Sequence, residues 1–137
     1  MIAEKPGDMP TTVIVLTTVA DDALAEDLAR VLVEERLAAC VNLHPPMTSI
    51  YRWKGAIEHA AERQMVIKTT DEHVEALKAR LKALSSYDLP EFLVLSVDGG
   101  GAEYLKWITQ NVGAPRPDAS TRPQRGPRRS VSKRSRG

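Results

Sequence analysis

The sequence predicts an α+β protein, a ferredoxin-like βαββαβ sandwich with a long β-hairpin and a C-terminal helix. Three observations lead to this prediction. Extended apolar runs alternate with stretches of helical periodicity, the order along the chain is β-α-β-β-α-β-α, and Lys54-Gly55 lies between two long extended runs. Because glycine readily adopts a positive φ, that dipeptide favours a tight hairpin turn.

The strands are expected at residues 12–18, at 38–43 continued by 47–53, at 56–70 and at 91–97. The first is an almost continuous apolar, β-branched run, which is typical of a strand covered on both faces. His44-Pro45-Pro46 interrupts the second strand. Since proline cannot donate a hydrogen bond to a neighbouring strand, we expect a bulge or a sheet edge at that point.

Three helices are expected at residues 22–36, 71–84 and 102–112, because apolar side chains recur there at helical spacing. These side chains are Leu24, Leu28, Val31 and Leu32 in the first helix, Val74, Leu77, Leu81 and Leu84 in the second, and Tyr104, Leu105, Trp107 and Ile108 in the third. Asp21 or Asp22 is expected to cap the first helix, and Thr70 or Asp71 the second.

The charge is divided unevenly along the chain. Residues 1–112 carry a net charge of −6 and residues 113–137 a net charge of +7, although the whole chain has a net charge of +1. We predict a flexible leader at 1–10, one domain at 11–112, and a disordered basic tail at 113–137 that lacks the apolar content to fold. The tail has three interpretations: a solvated extension, a segment that folds back on the acidic domain, or a weak, nonspecific binder of nucleic-acid phosphates.

A cytoplasmic location is expected. The one cysteine, Cys40, has no partner for an intramolecular disulfide. No apolar run approaches the roughly 20 residues of a membrane span, so no membrane association is expected. No nucleophile elbow, phosphate-binding loop or Cys/His dyad can be read from the spacing, which argues against an enzyme.

The hairpin predicts a homo-oligomer. The strand of residues 39–53 would reach roughly 50 Å at about 3.3 Å per residue, whereas the helix of residues 22–36 covers about 22 Å. The far end of the strand and the start of the next carry Ile50, Tyr51, Trp53 and Ile57. A lone two-stranded ribbon is marginal in water, so we expect it to pack against other copies of the chain.

Five separate segments identify a family. They are Glu34-Glu35-Arg36-Leu37-Ala38-Ala39-Cys40-Val41-Asn42, Ser49-Ile50-Tyr51-Arg52-Trp53-Lys54-Gly55, Ile67-Lys68-Thr69, Tyr87-Asp88-Leu89-Pro90-Glu91 and Tyr104-Leu105-Lys106-Trp107. In this order they resemble the CutA divalent-cation tolerance proteins over about residues 11–112. The resemblance implies a ferredoxin-like protomer in a homotrimer whose hairpins extend the sheets of neighbouring subunits. It also implies a link to tolerance of copper and other divalent metals. The architecture is similar to that of the PII signalling proteins, which suggests a regulatory or ligand-binding role.

One motif departs from the family pattern. The family commonly has His-Pro-Tyr-Glu where this chain has Ser85-Ser86-Tyr87-Asp88. The histidine is absent, and with it an imidazole ligand. A metal-binding role is therefore less well supported for this chain than for the family.

Cys40 is the candidate metal ligand, because Cu(I) prefers thiolate. The alternative is a small buried apolar side chain, as free cysteines usually are. We expect His44, His59 and His73 to be solvated, since their spacing matches no zinc motif. No cofactor is required by this reading, and copper or another divalent cation remains the candidate ion.

Lys68 is a lone cation in an apolar strand, so it is expected to have a partner. One reading is an ion pair with Glu58, Asp88 or Glu91. The other is an anchor for an anionic ligand in an intersubunit cleft walled by aromatic rings. The predicted ligand-binding residues are Tyr51, Trp53, Glu58, Lys68 and Tyr87.

These observations predict a trimeric cytoplasmic protein of divalent metal tolerance or response, which binds metal or a small ligand at its intersubunit clefts. The alternative is a PII-like sensor of a small anionic metabolite that uses Lys68 and no metal. A third hypothesis is a nucleic-acid-associated module that acts through the basic tail.

Overall fold

The computed structural model describes residues 10–114; the rest of the predicted leader and tail lies outside this range. The elements, in chain order, are β1 (Thr12–Ala20), α1 (Ala25–Glu34), β2 (Cys40–Leu43), β3 (Met47–Trp53), β4 (Ala56–Thr70), α2 (Val74–Leu84), β5 (Leu93–Ser96) and α3 (Ala102–Gln110). A short 3-10 turn, Asp71–His73, leads into α2. The described residues therefore form an α+β fold, with one sheet and three α-helices.

All strand pairs of the sheet are antiparallel, and the strand order is β2-β4-β1-β5, with β3 also paired to β4. Strand β4 is the longest element and organises the others. Its second half, Glu62–Thr70, pairs with β1, and β2 pairs with Met65–Lys68 on its other edge. Its first half pairs with β3. The expected break at the two prolines is present, since β2 ends at Leu43 and β3 begins at Met47.

One face of the sheet, which we call the helix face, carries the core. Val15 and Ile67 are register partners there, and both are fully buried. Leu32 of α1 and Leu77 of α2 are fully buried in the same cluster. Burial of a side chain of this kind contributes about 1.5–3 kcal/mol. The two amphipathic helices thus cover this face within a single protomer.

The opposite face, which we call the open face, is covered only in part. Because side chains alternate along a strand, this face carries Ile14, Leu16, Val66, Leu93 and Leu95. Helix α3 packs against part of this face. There Ile108, Val112 and Ala39 form a second small hydrophobic cluster. Leu93 and Leu95 remain 54% and 48% exposed, so the apolar surface of this face extends beyond the helix.

Strand β3 and the facing residues 56–61 of β4 form a two-stranded extension that we call the ribbon. A two-residue turn closes it, with φ of 51° at Lys54 and 84° at Gly55. Since β1 pairs with β4 only from Glu62 onward, six residues of β4 project beyond the sheet, about 20 Å at about 3.3 Å per residue. The predicted overhang is confirmed as a feature of the protomer.

The predicted helix caps are wrong. No side chain caps α1 or α2. Asp22 instead accepts a hydrogen bond from Leu24 N–H at 2.9 Å, just before α1 begins. Asp71 accepts one from Thr11 N–H at 3.1 Å, which ties the end of β4 to the start of β1. The sequence identified suitable acceptors but not the backbone donors that they meet.

Within residues 10–114, no helix is long and apolar enough to cross a membrane.

Candidate functional site

A cleft of about 780 Å³ lies between the ribbon and the loop of residues 86–91. The loop follows α2, and the ribbon faces it across the end of β1. The lining residues are Thr18, Ser49, Ile50, Tyr51, Arg52, Trp53, Ala60, Glu62, Ser86, Tyr87, Asp88, Leu89, Pro90 and Glu91. The cleft thus combines three aromatic rings with several polar and charged groups, a composition that suits small-molecule binding.

Hydrogen bonds from the sheet position the loop. The Thr17 hydroxyl donates to the Glu91 carbonyl at 2.6 Å. The Gln64 side-chain amide donates to the Glu91 carboxylate at 2.9 Å and to the Thr17 carbonyl at 2.8 Å. These bonds fix Glu91, at the end of the loop, against β1 and β4.

Ser85, which stands where the family commonly has histidine, has a structural role in this loop. Its hydroxyl oxygen accepts a hydrogen bond from Tyr87 N–H at 3.0 Å. A serine hydroxyl commonly bonds a backbone group two residues further on, which stabilises a turn. The substitution therefore provides a contact that holds the backbone of Tyr87.

The ribbon supplies the other wall of the cleft. Tyr51 and Trp53 are two residues apart on β3 and so point to the same face. Tyr51 is 42% exposed and Trp53 is half-buried. The Lys54 ammonium lies 5.7 Å from the centre of the Trp53 ring, a cation–π contact at the tip of the ribbon.

The charges of the cleft favour a cation. Glu62, Asp88 and Glu91 contribute three carboxylates, and Arg52 is the basic residue among the lining side chains. The pKa of Tyr87 is raised above its usual 10.0, chiefly because burial disfavours the phenolate and next because of hydrogen bonding to Glu62 and the charge of that carboxylate. The negative charge of Glu62 thus adds to the rise of the Tyr87 pKa, after the larger effect of burial.

Of the five predicted ligand-binding residues, Tyr51, Trp53 and Tyr87 line this cleft, whereas Glu58 and Lys68 are not among its lining residues. Glu58 is paired with Tyr51 across the ribbon but lies exposed to solvent. The Lys68 ammonium lies 5.9 Å from the centre of the Tyr104 ring. An aromatic ring of α3, which the sequence did not suggest, is therefore a neighbour of this cation.

Sequence reasoning missed Glu62 and Arg52 as residues of the cleft. The signal for Glu62 was present in the turn, because a two-residue hairpin fixes the register of the strands that it joins. From that register Glu62 faces Met47, on the same side as Tyr51. Nothing in the sequence indicates that Arg52 lines the cleft. Side chains alternate along a strand, so Arg52 is expected on the face opposite to Tyr51 and Trp53.

The described part of the chain does not contain a ready-made metal site. No group of three or more His, Cys, Asp or Glu side chains within residues 10–114 is arranged to hold a metal ion. Cys40 is half-buried and pairs with Lys68 across the strands, and a cation is an unfavourable neighbour for a bound metal. Within residues 10–114, Cys40 therefore has no neighbouring group of ligands that would complete a metal site around its thiol.

Two of the three histidines lie as expected. His44 and His59 are exposed. His73 is half-buried instead, with its Nδ1 atom 3.0 Å from the Thr70 hydroxyl, because the 3-10 turn before α2 brings it back over β4.

The sequence is similar to known tolerance proteins. A family model described as the CutA1 divalent ion tolerance protein matches residues 13–111. The divalent-cation tolerance protein CutA of Thermus thermophilus is 46% identical over 100 residues, which cover 73% of this chain and 97% of that protein. The protein of the same name from Pectobacterium atrosepticum is 47% identical over 100 residues, with 73% and 91% covered.

The fold is similar to solved structures of such proteins. The divalent cation tolerance protein (Cut A1) of Thermus thermophilus superposes with a TM-score of 0.72 at 45% identity, covering 74% of this chain and 99% of that chain. CutA from Xylella fastidiosa gives the same TM-score, 0.72, at 45% identity, with 75% and 99% covered. Both comparisons leave out about a quarter of this chain.

Proposed function

The chain belongs to the CutA1 divalent ion tolerance protein family, and we propose that it acts in divalent-cation tolerance as a cytoplasmic, non-catalytic homotrimer. In this proposal its ligand is a small molecule or ion bound in the cleft between the ribbon and the loop of residues 86–91. Family membership supports the role in tolerance. The relatives are named for divalent-cation tolerance and not for a reaction.

The composition of the cleft is the observation that carries the proposed binding role. Aromatic rings of Tyr51, Trp53 and Tyr87 stand beside the carboxylates of Glu62 and Asp88 around about 780 Å³. Aromatic faces attract cations, and carboxylate oxygens attract hydrated divalent ions. The proposed ligand is therefore a cation, either a hydrated divalent ion, copper included, or an organic cation.

The incomplete protomer supports the homotrimer. Within residues 10–114, β5 pairs on one side only, with β1, and all four of its residues are exposed. The ribbon carries exposed Ile50 and Ile57. A ribbon from a second copy would complete the edge of β5 by strand addition. We also propose that each protomer is ferredoxin-like. The order of its elements along the chain and the order of its strands in the sheet are those expected of that fold.

Titration of the protein with Cu²⁺, followed by calorimetry, tests the site. We expect Glu62→Gln to weaken cation binding, because it removes a carboxylate beside Tyr87, and Cys40→Ala to leave it unchanged. Glu58→Gln is the matched control, since it removes one carboxylate from the ribbon outside the lining residues. Loss of binding in Cys40→Ala with full binding in Glu62→Gln would contradict the cleft and make the thiol the ligand.

The alternative, a PII-like sensor of an anionic metabolite, has less support. It uses Lys68, which lies near Tyr104 of α3 and does not line the cleft. Arg52 is the basic residue of the lining, beside three carboxylates. A panel of small anions tests this alternative through the melting temperature of the protein. An anion that raises the melting temperature of the wild type, but not that of Lys68→Ala, would support it. The nucleic-acid hypothesis concerns a tail that lies outside the described residues.

A further inference from the structure

Arg36 ends helix α1 in a backbone conformation that arginine seldom adopts. Its φ is 61°, in the left-handed region where glycine is the usual residue. Arg36 N–H donates to the Val33 carbonyl at 3.0 Å, and Leu37 N–H donates to a carbonyl one residue earlier, that of Leu32, also at 3.0 Å. This is the hydrogen-bond pattern with which a glycine commonly closes a helix. The end of α1 alone therefore does not explain why an arginine stands here.

The side chain of Arg36 closes a second helix, α3. Its guanidinium donates to the Gln110 carbonyl at 2.9 Å and to the Gly113 carbonyl. Its own carbonyl accepts a hydrogen bond from Gly113 N–H at 2.9 Å. The last turn of α3 contains no basic residue, so Arg36 supplies the positive charge that a helix C-terminus favours. One residue therefore caps both helices.

The segment that follows Arg36 is fixed to the sheet. Ala39 N–H donates to the Lys68 carbonyl of β4 at 2.9 Å. The Thr69 hydroxyl, which is fully buried, donates to the Leu37 carbonyl at 2.8 Å. Arg36 thus connects the end of α3 to a well-anchored part of the fold.

Helix α3 is held weakly apart from these bonds. Ile108 is its buried residue, and Val112 beyond its end adds to the same small cluster. The Trp107 indole N–H is buried and meets no acceptor within residues 10–114. A buried donor without a partner is unfavourable, and opening of α3 would let this group bond to water. An element with so few buried contacts is expected to open before the rest of the protein.

Both the start and the outer side of α3 allow such an opening. Three consecutive glycines, residues 99–101, precede the helix, and glycine can absorb the backbone rotation that a hinge requires. The outer side of α3 exposes Glu103 and Lys106. The proposed homotrimer uses the apolar residues of β5 and the ribbon, so it leaves this polar side of α3 uncovered.

We propose that Arg36 is a latch: α3 opens from the sheet about residues 99–101, and the Arg36 guanidinium holds it closed. Opening uncovers Lys68, whose ammonium lies 5.9 Å from the centre of the Tyr104 ring of α3. It also exposes the indole N–H of Trp107 to water. The latch is independent of the proposed function, because it needs neither the cleft nor a ligand.

Hydrogen exchange of the full chain tests the latch through Arg36→Gly. We expect the amides of α3 to exchange about tenfold faster, because the variant removes two hydrogen bonds from a charged group. The amides of α1 should exchange no faster than in the wild type, since glycine is the preferred residue where α1 ends. A general loss of stability would accelerate both helices.

Two further variants check the source of the effect. Lys54 is the other described residue besides glycine with a positive φ, 51°. Lys54→Gly is therefore the matched control, which removes one positive charge from the ribbon and should leave α3 unchanged. Gly113→Ala disturbs the latch from the side of α3, because Gly113 has a φ of 73° and an added Cβ would lie 3.0 Å from His73 Nε2. It should accelerate exchange in α3 even if Arg36→Gly does not fold.

Three results would overturn the proposal. Unchanged exchange of α3 in Arg36→Gly would show that the helix is held without the guanidinium. Equal acceleration of α1 and α3 would make Arg36 a general stabilising residue. Exchange of α3 that follows protein concentration and not Arg36 would assign the hold on α3 to a neighbouring copy. Acceleration confined to α3 at every concentration, in both Arg36→Gly and Gly113→Ala, supports the latch.

Discussion

The two faces of the sheet differ in how far one protomer completes them. On the helix face, Val15, Met65 and Ile67 are fully buried under α1 and α2. On the open face Leu93 is 54% exposed, and at the ribbon Ile50 is 66% exposed. Both regions have apolar, β-rich sequences, so hydrophobicity alone does not distinguish them. The difference is whether the same chain supplies a covering element.

The two faces are therefore expected to have different roles. The helix face supplies stability and needs no partner. The ribbon, β5 and the loop of residues 86–91 are exposed, and the cleft lies among them. Large apolar surfaces left uncovered on a protein are usually interaction sites, so the proposed assembly and the proposed ligand binding would use the same side of the molecule.

Trp53→Ala is expected to have the largest effect. If neighbouring copies bury the indole, the truncation removes about 3–5 kcal/mol, the cost of a large core aromatic, and the assembly dissociates on dilution. Denaturant unfolding and sedimentation at several concentrations measure the two effects. Trp53→Phe is the control that keeps an aromatic ring. An alanine variant whose mass and stability match the wild type would place Trp53 outside any interface.

Ile67→Ala tests the helix face. It empties a fully buried position and should lower the free energy of unfolding by about 2–5 kcal/mol. Because Ile67 points away from the open face, the sedimenting mass should stay unchanged wherever the variant is folded. Dissociation without loss of protomer stability would show that the two faces are not independent.

Alkaline titration tests the cleft through Tyr87. Its pKa is above the usual 10.0, so the folded protein holds the phenol proton more tightly than the unfolded chain does. The contribution of this group to stability is fully present below about pH 10 and is lost as the pH rises toward the folded pKa.

Tyr87→Phe should therefore flatten the decline of unfolding free energy above about pH 10. Tyr104→Phe, on α3 and outside the lining of the cleft, is the control variant that removes a different phenol. Urea unfolding at a series of alkaline pH values measures both. An equal decline in wild type and Tyr87→Phe would show that the Tyr87 phenol does not carry this pH dependence.

Glu35→Gln is expected to have the smallest effect. The Glu35 carboxylate accepts two hydrogen bonds from the Arg80 guanidinium, at 2.9 and 2.7 Å, which link the end of α1 to α2 and raise the pKa of Arg80. Both side chains are about 40% exposed, so water and salt screen the pair. Thermal melting should shift only slightly, and the shift should vanish at high salt.

Local patterns in the sequence were sufficient to predict the α+β class and the element order. Periodicity located all three helices, and the two prolines located the break between β2 and β3. The resemblance to the family is confirmed. The capping residues were wrong because the partner of an aspartate depends on which backbone amide the tertiary fold brings near it, as with Asp71 and Thr11.

The candidate site was predicted in part. Tyr51, Trp53 and Tyr87 could be found because aromatic residues stand out in a chain with few of them. Lys68 was assigned to the cleft because a cation in a strand needs a partner, and the sequence could not show that α3 provides the ring of Tyr104. Whether these residues bind a ligand stays a prediction, as do the trimer and the boundaries of the domain.

Sedimentation equilibrium of the full chain tests most directly the claim that the exposed side of the protomer is completed by other copies. At micromolar concentration we expect a single species with three times the 15.1 kDa mass of the chain. A species of 15.1 kDa, with the ribbon and β5 still exposed to solvent, would contradict it.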